Sequence, residues 1–345
     1  MSKRNKVTIE DVASEANVSI ATVSRVINEK DKVGLKTKEK VIAAINLLGF
    51  EIKKTNSLSD NNSKTILVCL TELKNPFIVP VIDGIQNSAH KNGYDTFLLQ
   101  TKNLYVNFKD YESVLKSQKF AGVVFLSSVT SLQLKIITEQ LNYRCPTVFC
   151  SEYVEDANIS YTCIDDVEAL YKSTSFILSC DRSKIAFFNC SFNHNYARRR
   201  EIGFRKAMED NQIPINEHWM FNLSTVNYSL AYSSALDLLS LENRPDAIVC
   251  ASDMFALGII KACKKKKLKI PEDIAIIGFD NIDLTVITDP PLTTIAQPSY
   301  QLGYKSCELL VEKINNPETP VKRIVLETEL IVRESTPITI KKGGN

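Results

Sequence analysis

The sequence predicts an α/β protein: two lobes of parallel sheet flanked by helices, behind a small all-α N-terminal domain. Three observations carry this. From residue 65 onward, apolar runs of strand length ("TILVCL", "AGVVFL", "PTVFC", "KIAFFN", "DAIVCA", "IAIIGF") alternate with amphipathic segments. Unbroken apolar runs between helical segments are the pattern of strands buried on both faces, as in βαβ units. The alternation covers about 280 residues, more than one small sheet holds, so two lobes are expected. The first 50 residues show helical periodicity instead.

The elements of the small domain follow in order. Residues 8–15 read as a helix: Thr8 caps it, Asp11 stands at the capping-box spacing, and Ile9, Val12, Ala13 and Ala16 form an apolar face. Ser19 caps a second helix running to about Asn28, with Ile20, Val23, Val26 and Ile27 inward. Asn17 occupies the turn between them, where left-handed geometry favours glycine and then asparagine. A third helix spans roughly 35–48, between Gly34 and Gly49, with Leu35, Val41, Ile42, Ile45 and Leu48 inward. Residues 51–64, "EIKKTNSLSDNNSK", are polar and read as a linker. In the body, Pro80 falls early in the helix after "NPF", where a missing N–H costs little. Ligands in such folds sit at the carboxyl ends of the strands.

Charge and cysteine usage narrow the function. Residues 1–54 hold eleven Lys or Arg against seven Asp or Glu, and the remainder 31 against 33. A basic module (+4) on a near-neutral body (−2) suits a polyanion-binding head. Nine cysteines occur without a C-x-x-C, mostly in apolar runs, and read as reduced core thiols of a cytoplasmic protein. Neither an apolar leader nor a membrane span of about 18 residues is read in the chain, so no membrane partner is expected. No metal cluster, phosphate loop or nucleophile–base pair stands out, so neither a cofactor nor catalysis is expected.

The first two helices meet the criteria of a helix-turn-helix. Small outward side chains on the second helix let it sit deep in a major groove. Arg25 can fork onto guanine O6 and N7, and Ser and Thr hydroxyls can hold phosphates. An ordinary helical hairpin with a polar face is the alternative.

At this point a resemblance becomes specific. "TIEDVASEANVSIATVSRVIN" (8–28) resembles the DNA-reading motif of the LacI/GalR family of bacterial transcription regulators, with Asn17 in place of its turn glycine. "KTKEKVIAAINLLGF" (36–50), "NPFIVPVIDGIQNSAHKNGY" (75–94), "ARRREIGFRKAM" (197–208), "ASDMFALGIIKACKKKKLKIPEDIAIIGFDNID" (251–283) and "ELIVRES" (329–335) continue it in order. The resemblance implies a periplasmic-binding-protein-like body, with lobes at about 65–161 plus 294–323 and 162–293 plus 324–340. It also implies a homodimer on a pseudo-palindromic double-stranded operator, with a small-molecule effector between the lobes, such as a sugar or sugar derivative.

The implied DNA-contacting residues are Thr8, Ser19, Ile20, Ala21, Thr22, Ser24, Arg25 and Asn28. Ile20, Ala21 and Arg25 fall at the base-reading positions; the first two suit only thymine methyls or shape, so hydrogen-bonded reading rests on Arg25. For Ser24, helix packing is the alternative. The linker departs from the family pattern: Phe50 replaces its tyrosine, Ile52 its proline, and Thr55-Asn56-Ser57-Leu58 its short helix. Leu58 is the candidate minor-groove wedge, and Lys53 the candidate phosphate contact beside Lys54.

In the cleft, the resemblance implies Phe77 as a stacking residue, Arg200 as a guanidinium that forks onto hydroxyls or a carboxylate, and Asp280 as an acceptor from sugar hydroxyls. Asp165, Asn189 and Asp253 are further candidates, with Asp253 also expected to cap its helix. Arg198 and Arg199 are expected at the surface. Val226 stands where many members carry an aromatic residue, which argues against a flat effector such as a purine. Two further readings stay open: a sugar-binding transport component, disfavoured by the DNA-binding head, and a family member controlled by a partner protein.

Overall fold

The computed structural model describes residues 8–27, 34–48, 63–70, 73–100, 120–126, 145–153 and 158–337. Asn28, Lys53 and Leu58 lie outside the described residues, as does the rest of the linker up to residue 62. The chain divides into two units, residues 1–58 and 59–345.

In the first unit, α1 (Ile9–Glu15), α2 (Ile20–Ile27) and α3 (Leu35–Leu48) enclose Val12, Ala13, Ala16, Val23, Val26, Val41, Ala44 and Ile45. Thr8 and Asp11 close a capping box: the Asp11 amide donates to Thr8 Oγ1 (3.3 Å), and the Thr8 amide donates to the Asp11 carboxylate (2.7 Å). The Thr8 amide, together with the Thr8 hydroxyl donating to the same oxygen (2.9 Å), holds the Asp11 carboxyl below the usual range. Asn17 is left-handed at φ 52°. Its amide donates to the Ser14 carbonyl and that of Val18 to Ala13, the paired bonds of a Schellman turn. Ser19 Oγ accepts from the Thr22 amide (3.1 Å) and caps α2.

Two apolar residues read as inward point outward: Ile20 is 47% exposed and Ile42 45%. At about 100° per residue, Ile20 lies roughly 120° around α2 from Val26, and Ile42 about 100° from Val41. Both fall off the stripes that meet the core, and on α3 Ala44 completes that stripe on the flank away from Ile42.

The second unit holds two six-stranded sheets. In the first, β1 (Thr65–Leu70), β2 (Asp95–Gln100), β3 (Gly122–Leu126), β4 (Thr147–Cys150), β5 (Ser160–Ile164) and β11 (Arg323–Leu326) run in the order β11-β5-β4-β3-β1-β2, all parallel. In the second, β6 (Ile185–Cys190), β7 (Met220–Leu223), β8 (Ala247–Cys250), β9 (Ala275–Asp280), β10 (Thr293–Ala296) and β12 (Glu329–Ile331) run β12-β10-β9-β8-β6-β7. Only the β10–β12 pair in it is antiparallel. The sheet membership of β5, β10 and β11 puts the crossovers after Ile164, Ala296 and Leu326, each slightly beyond the expected 161, 293 and 323. A strand stays in its sheet until its ladder ends, and these ladders run that far.

Helices α4 (Ile78–Lys91) and α9 (Ser299–Asn315) pack together on the first lobe. On the second, α5 (Asp166–Ser179) packs against α6 (Asn195–Asp210), and α7 (Tyr228–Leu238) against α8 (Asp253–Lys265). Gly203 sets one of these approaches: a Cβ there would stand 2.2 Å from the Val167 carbonyl oxygen. All nine cysteines are buried and none is in a disulfide, as their apolar settings imply. No helix among the described residues is long and apolar enough to cross a membrane.

Candidate functional site

Both sheets reverse their strand order between two adjacent strands, β1 and β3 in one and β6 and β8 in the other. A crevice opens at the carboxyl end of a parallel sheet where neighbouring connections diverge. One cavity of about 100 Å³ meets both crevices. Asn75 and Phe77 reach it after β1, Leu126 at the end of β3, and Ser151 and Glu152 after β4. From the second lobe come His194 and Tyr196 after β6, Ser252 after β8, and Asp280 at the end of β9; Gln297 follows β10.

Arg200 is 5% exposed, and α6 carries it inward. Its Nε donates to Asp166 (2.8 Å) and its Nη1 to the Ala251 carbonyl (2.6 Å). The guanidinium lies 3.8 Å from the Phe279 ring centre and 4.7 Å from that of Tyr196. The close packing at Gly203 brings α5, and with it Asp166, within reach. Burial pushes the Asp166 carboxyl up, and the adjoining guanidinium opposes that shift.

Asp280 is 6% exposed and accepts from Ser252 Oγ (2.9 Å) and Gln297 Nε2 (2.7 Å). Burial raises its carboxyl to about 6, against the pull of Arg200. Asp280 and Asn281 have φ of 117° and 57°, a conformation that non-glycine residues hold only where surroundings enforce it. Arg333, in the "ELIVRES" segment, supplies that enforcement: Nη2 donates to Asn281 Oδ1 (2.7 Å) and Nη1 to the Leu292 carbonyl (2.6 Å).

The sequence candidates thus divide. Phe77, Arg200 and Asp280 line one cavity. Phe77 also sits at the start of α4, so stacking and helix-start packing are the same placement. Asp165, Asn189 and Asp253 do not line it. Asp165 is exposed and caps α5, accepting from the Val167 and Glu168 amides. Asn189 is fully buried, its amide donating to the Ala197 carbonyl (2.8 Å) while its Oδ1 accepts from the Cys190 amide. Asp253 is not the cap of α8; Ser252 is. Asp253 turns inward under Gly278, accepting from Thr294 Oγ1 (2.6 Å) and the Ile282 amide (2.9 Å). Arg198 is exposed as expected, whereas Arg199 is half-buried against Tyr153 and Asp165. Sequence reasoning missed Glu152, His194, Tyr196, Ser252 and Gln297; their shared signal is a position just past a strand's carboxyl end.

On α2, Ser19, Ile20, Ala21 and Arg25 are exposed, with Thr22 and Ser24 half-buried beside them. Thr8 is exposed at the start of α1.

Comparison with known proteins gives these two units a family. Residues 8–51 match the model of bacterial regulatory proteins of the lacI family, and residues 181–336 a periplasmic binding protein-like domain. Over 336 residues the chain is 31% identical to the HTH-type transcriptional repressor PurR of Vibrio parahaemolyticus, covering 97% of this chain and 99% of that protein. The chain belongs to the lacI family of bacterial regulatory proteins. A second member, the HTH-type transcriptional regulator RegA of Clostridium saccharobutylicum, is 32% identical, with 95% of this chain and 98% of RegA covered. The solved complex of the transcriptional regulator CelR with cellobiose aligns with a TM-score of 0.73 at 26% identity, over 95% of this chain and 99% of CelR. This lacI-family chain is therefore a DNA-binding transcriptional repressor and not an enzyme.

Proposed function

We propose that the repressor binds a pseudo-palindromic operator in the cytoplasm as a homodimer, and that a sugar or sugar derivative between the lobes controls its affinity. The observation that carries the effector reading is the convergence of Arg200 and Asp280, both nearly fully buried, with Ser252 and Gln297 on one cavity. Such a set supplies fixed donors and acceptors to vicinal hydroxyls. The CelR complex, a relative in fold and sequence, holds cellobiose. Arg25 of α2 reads bases while Ser19, Thr22, Ser24, Asn28 and, from the start of α1, Thr8 position phosphates; Ile20 and Ala21 offer methyl contacts; Lys53 and Leu58 act from the linker. Effector binding shifts the lobes of the dimer and so the spacing of its two heads. Phe77 closes the apolar side of the cavity, and Asp165, Asn189 and Asp253 brace the elements around it.

The test is a thermal-shift screen of mono- and disaccharides, cellobiose included, beside purine bases, followed by operator release with each hit. A sugar that raises Tm and alters DNA affinity supports the reading. Stabilisation by a purine base and by no sugar overturns it.

A further inference from the structure

The connection between β9 and β10 runs from Asn281 to Leu292. One side chain ties its two ends together. Arg333 Nη2 donates to Asn281 Oδ1 (2.7 Å), and Nη1 donates to the Leu292 carbonyl (2.6 Å) and to Thr285 Oγ1 (3.2 Å) between them. A guanidinium presents its donors in a fixed plane, so bonds to both ends set their separation.

Arg333 is itself anchored. It follows β12, and its amide donates to Thr293 Oγ1 (2.8 Å), whose hydroxyl donates back to the Arg333 carbonyl (3.1 Å). Two residues on, the buried Ser335 hydroxyl donates to the Ile276 carbonyl of β9 (2.6 Å), and the Ser335 amide donates to the Pro291 carbonyl (3.0 Å). The fork therefore projects from a backbone fastened to β9 and to the start of β10.

Asp280, the last residue of β9, stands directly before the tied connection. Asp280 and Asn281 both hold positive φ, 117° and 57°. Two consecutive non-glycine residues keep that conformation only under constraint. Asp280 lines the cavity and Arg333 does not.

We propose that Arg333 is the positioning residue of the effector site: by tying both ends of the β9–β10 connection, it keeps the Asp280 carboxylate turned into the cavity. Without the fork, the backbone relaxes and the carboxylate leaves Ser252 Oγ and Gln297 Nε2 for water. The inference deepens the effector reading and rests on it, so one arm of its test needs no effector.

Melts from pH 4 to pH 7 read the placement of Asp280 without any ligand. Burial raises that carboxyl to about 6, so it costs stability as pH rises from about 4 to about 6. Arg200 from α6, Asp166 from α5 and Asp253 from α8 act on it, and Glu152 and His194 line the same cavity. Comparing the wild-type and D280N backgrounds cancels the shares of these groups. R333M lowers Tm at every pH. In the wild-type background it also removes roughly half or more of the slope difference between wild type and D280N, because the freed carboxylate meets water. In the D280N background it leaves the slope unchanged. R333K keeps the charge, loses the fork and behaves as R333M. N281G removes the acceptor at the first end of the connection and repeats the result should R333M fail to fold. An unchanged slope in R333M, the same slope change in both backgrounds, or a wild-type profile in R333K overturns the proposal. In the second arm, glucose, ribose and cellobiose are titrated by thermal shift. Any of them that binds the wild type binds R333M roughly tenfold more weakly, and equal binding also overturns the proposal. A panel in which no sugar binds sinks the sugar reading and leaves the melts to decide the role of Arg333.

Discussion

Asp280 concentrates the chemistry of the body in one residue: a positive φ, near-complete burial and a carboxyl raised to about 6. A carboxyl raised above its unfolded value binds more protons folded than unfolded. Stability is therefore greatest while it is protonated and falls as pH rises from about 4 to about 6. Asp280→Asn removes that loss. Its Tm exceeds that of the wild type at pH 7, and the two converge near pH 4, as melts across this range will show. The same variant loses the effector response while keeping DNA affinity. At the other unit, Arg25→Ala costs about 1–3 kcal/mol of discrimination between operator and non-operator DNA, measured by competition binding. An unchanged preference would remove Arg25 from the reading of bases. Residues differ in how visible such roles are from sequence. Arg200 and Asp280 stand in motifs and were legible. Asn189 was misjudged because β6 is buried on both faces, so alternation does not say which side chain faces the cavity.

Among the elements, the α1–α2 turn shows local chemistry deciding local structure. Asn17 adopts the left-handed conformation that its place after α1 demands, and the Schellman bonds satisfy the last carbonyls of that helix. Asn17→Val destabilises the head by about 1–2 kcal/mol, because a β-branched side chain crowds the backbone there. Asn17→Gly leaves denaturation of the head nearly unchanged. The α5–α6 pair makes the complementary point about close approach. Gly203→Ala sets a Cβ against the Val167 carbonyl, costs about 1–3 kcal/mol, and moves Arg200 away from Asp166. Effector affinity falls with it, measurable in the same thermal-shift titration. Helices, caps and strand runs were legible because each depends on neighbours within a few residues. The inward assignment of Ile20 and Ile42 failed because their distance from the buried stripe is set by the packing of three helices together.

For the whole molecule, the legible part was the alternation that makes two sheets, and the illegible part was their meeting. Glu152 and Gln297 lie far along the chain from His194 and Tyr196 at the start of α6, and the strand order brings them to one cavity. The proposed homodimer has a matching surface feature. Leu284, Val286 and Ile287 are 40%, 56% and 74% exposed on one short segment of the second lobe. Apolar exposure of this kind marks association surfaces. Ile287→Asp shifts sedimentation toward monomer and weakens DNA binding with it; an unchanged dimer would place the interface elsewhere.

The central claim is that α2 reads DNA through Arg25 from two symmetric heads. Selection from a random duplex pool tests it most directly, run with the wild type and Arg25→Ala, each with and without the ligand that stabilises the cleft. The account predicts a pseudo-palindromic consensus with a guanine at symmetric positions, lost at those positions in the variant. An identical consensus from both proteins, or no enrichment under either condition, would contradict it.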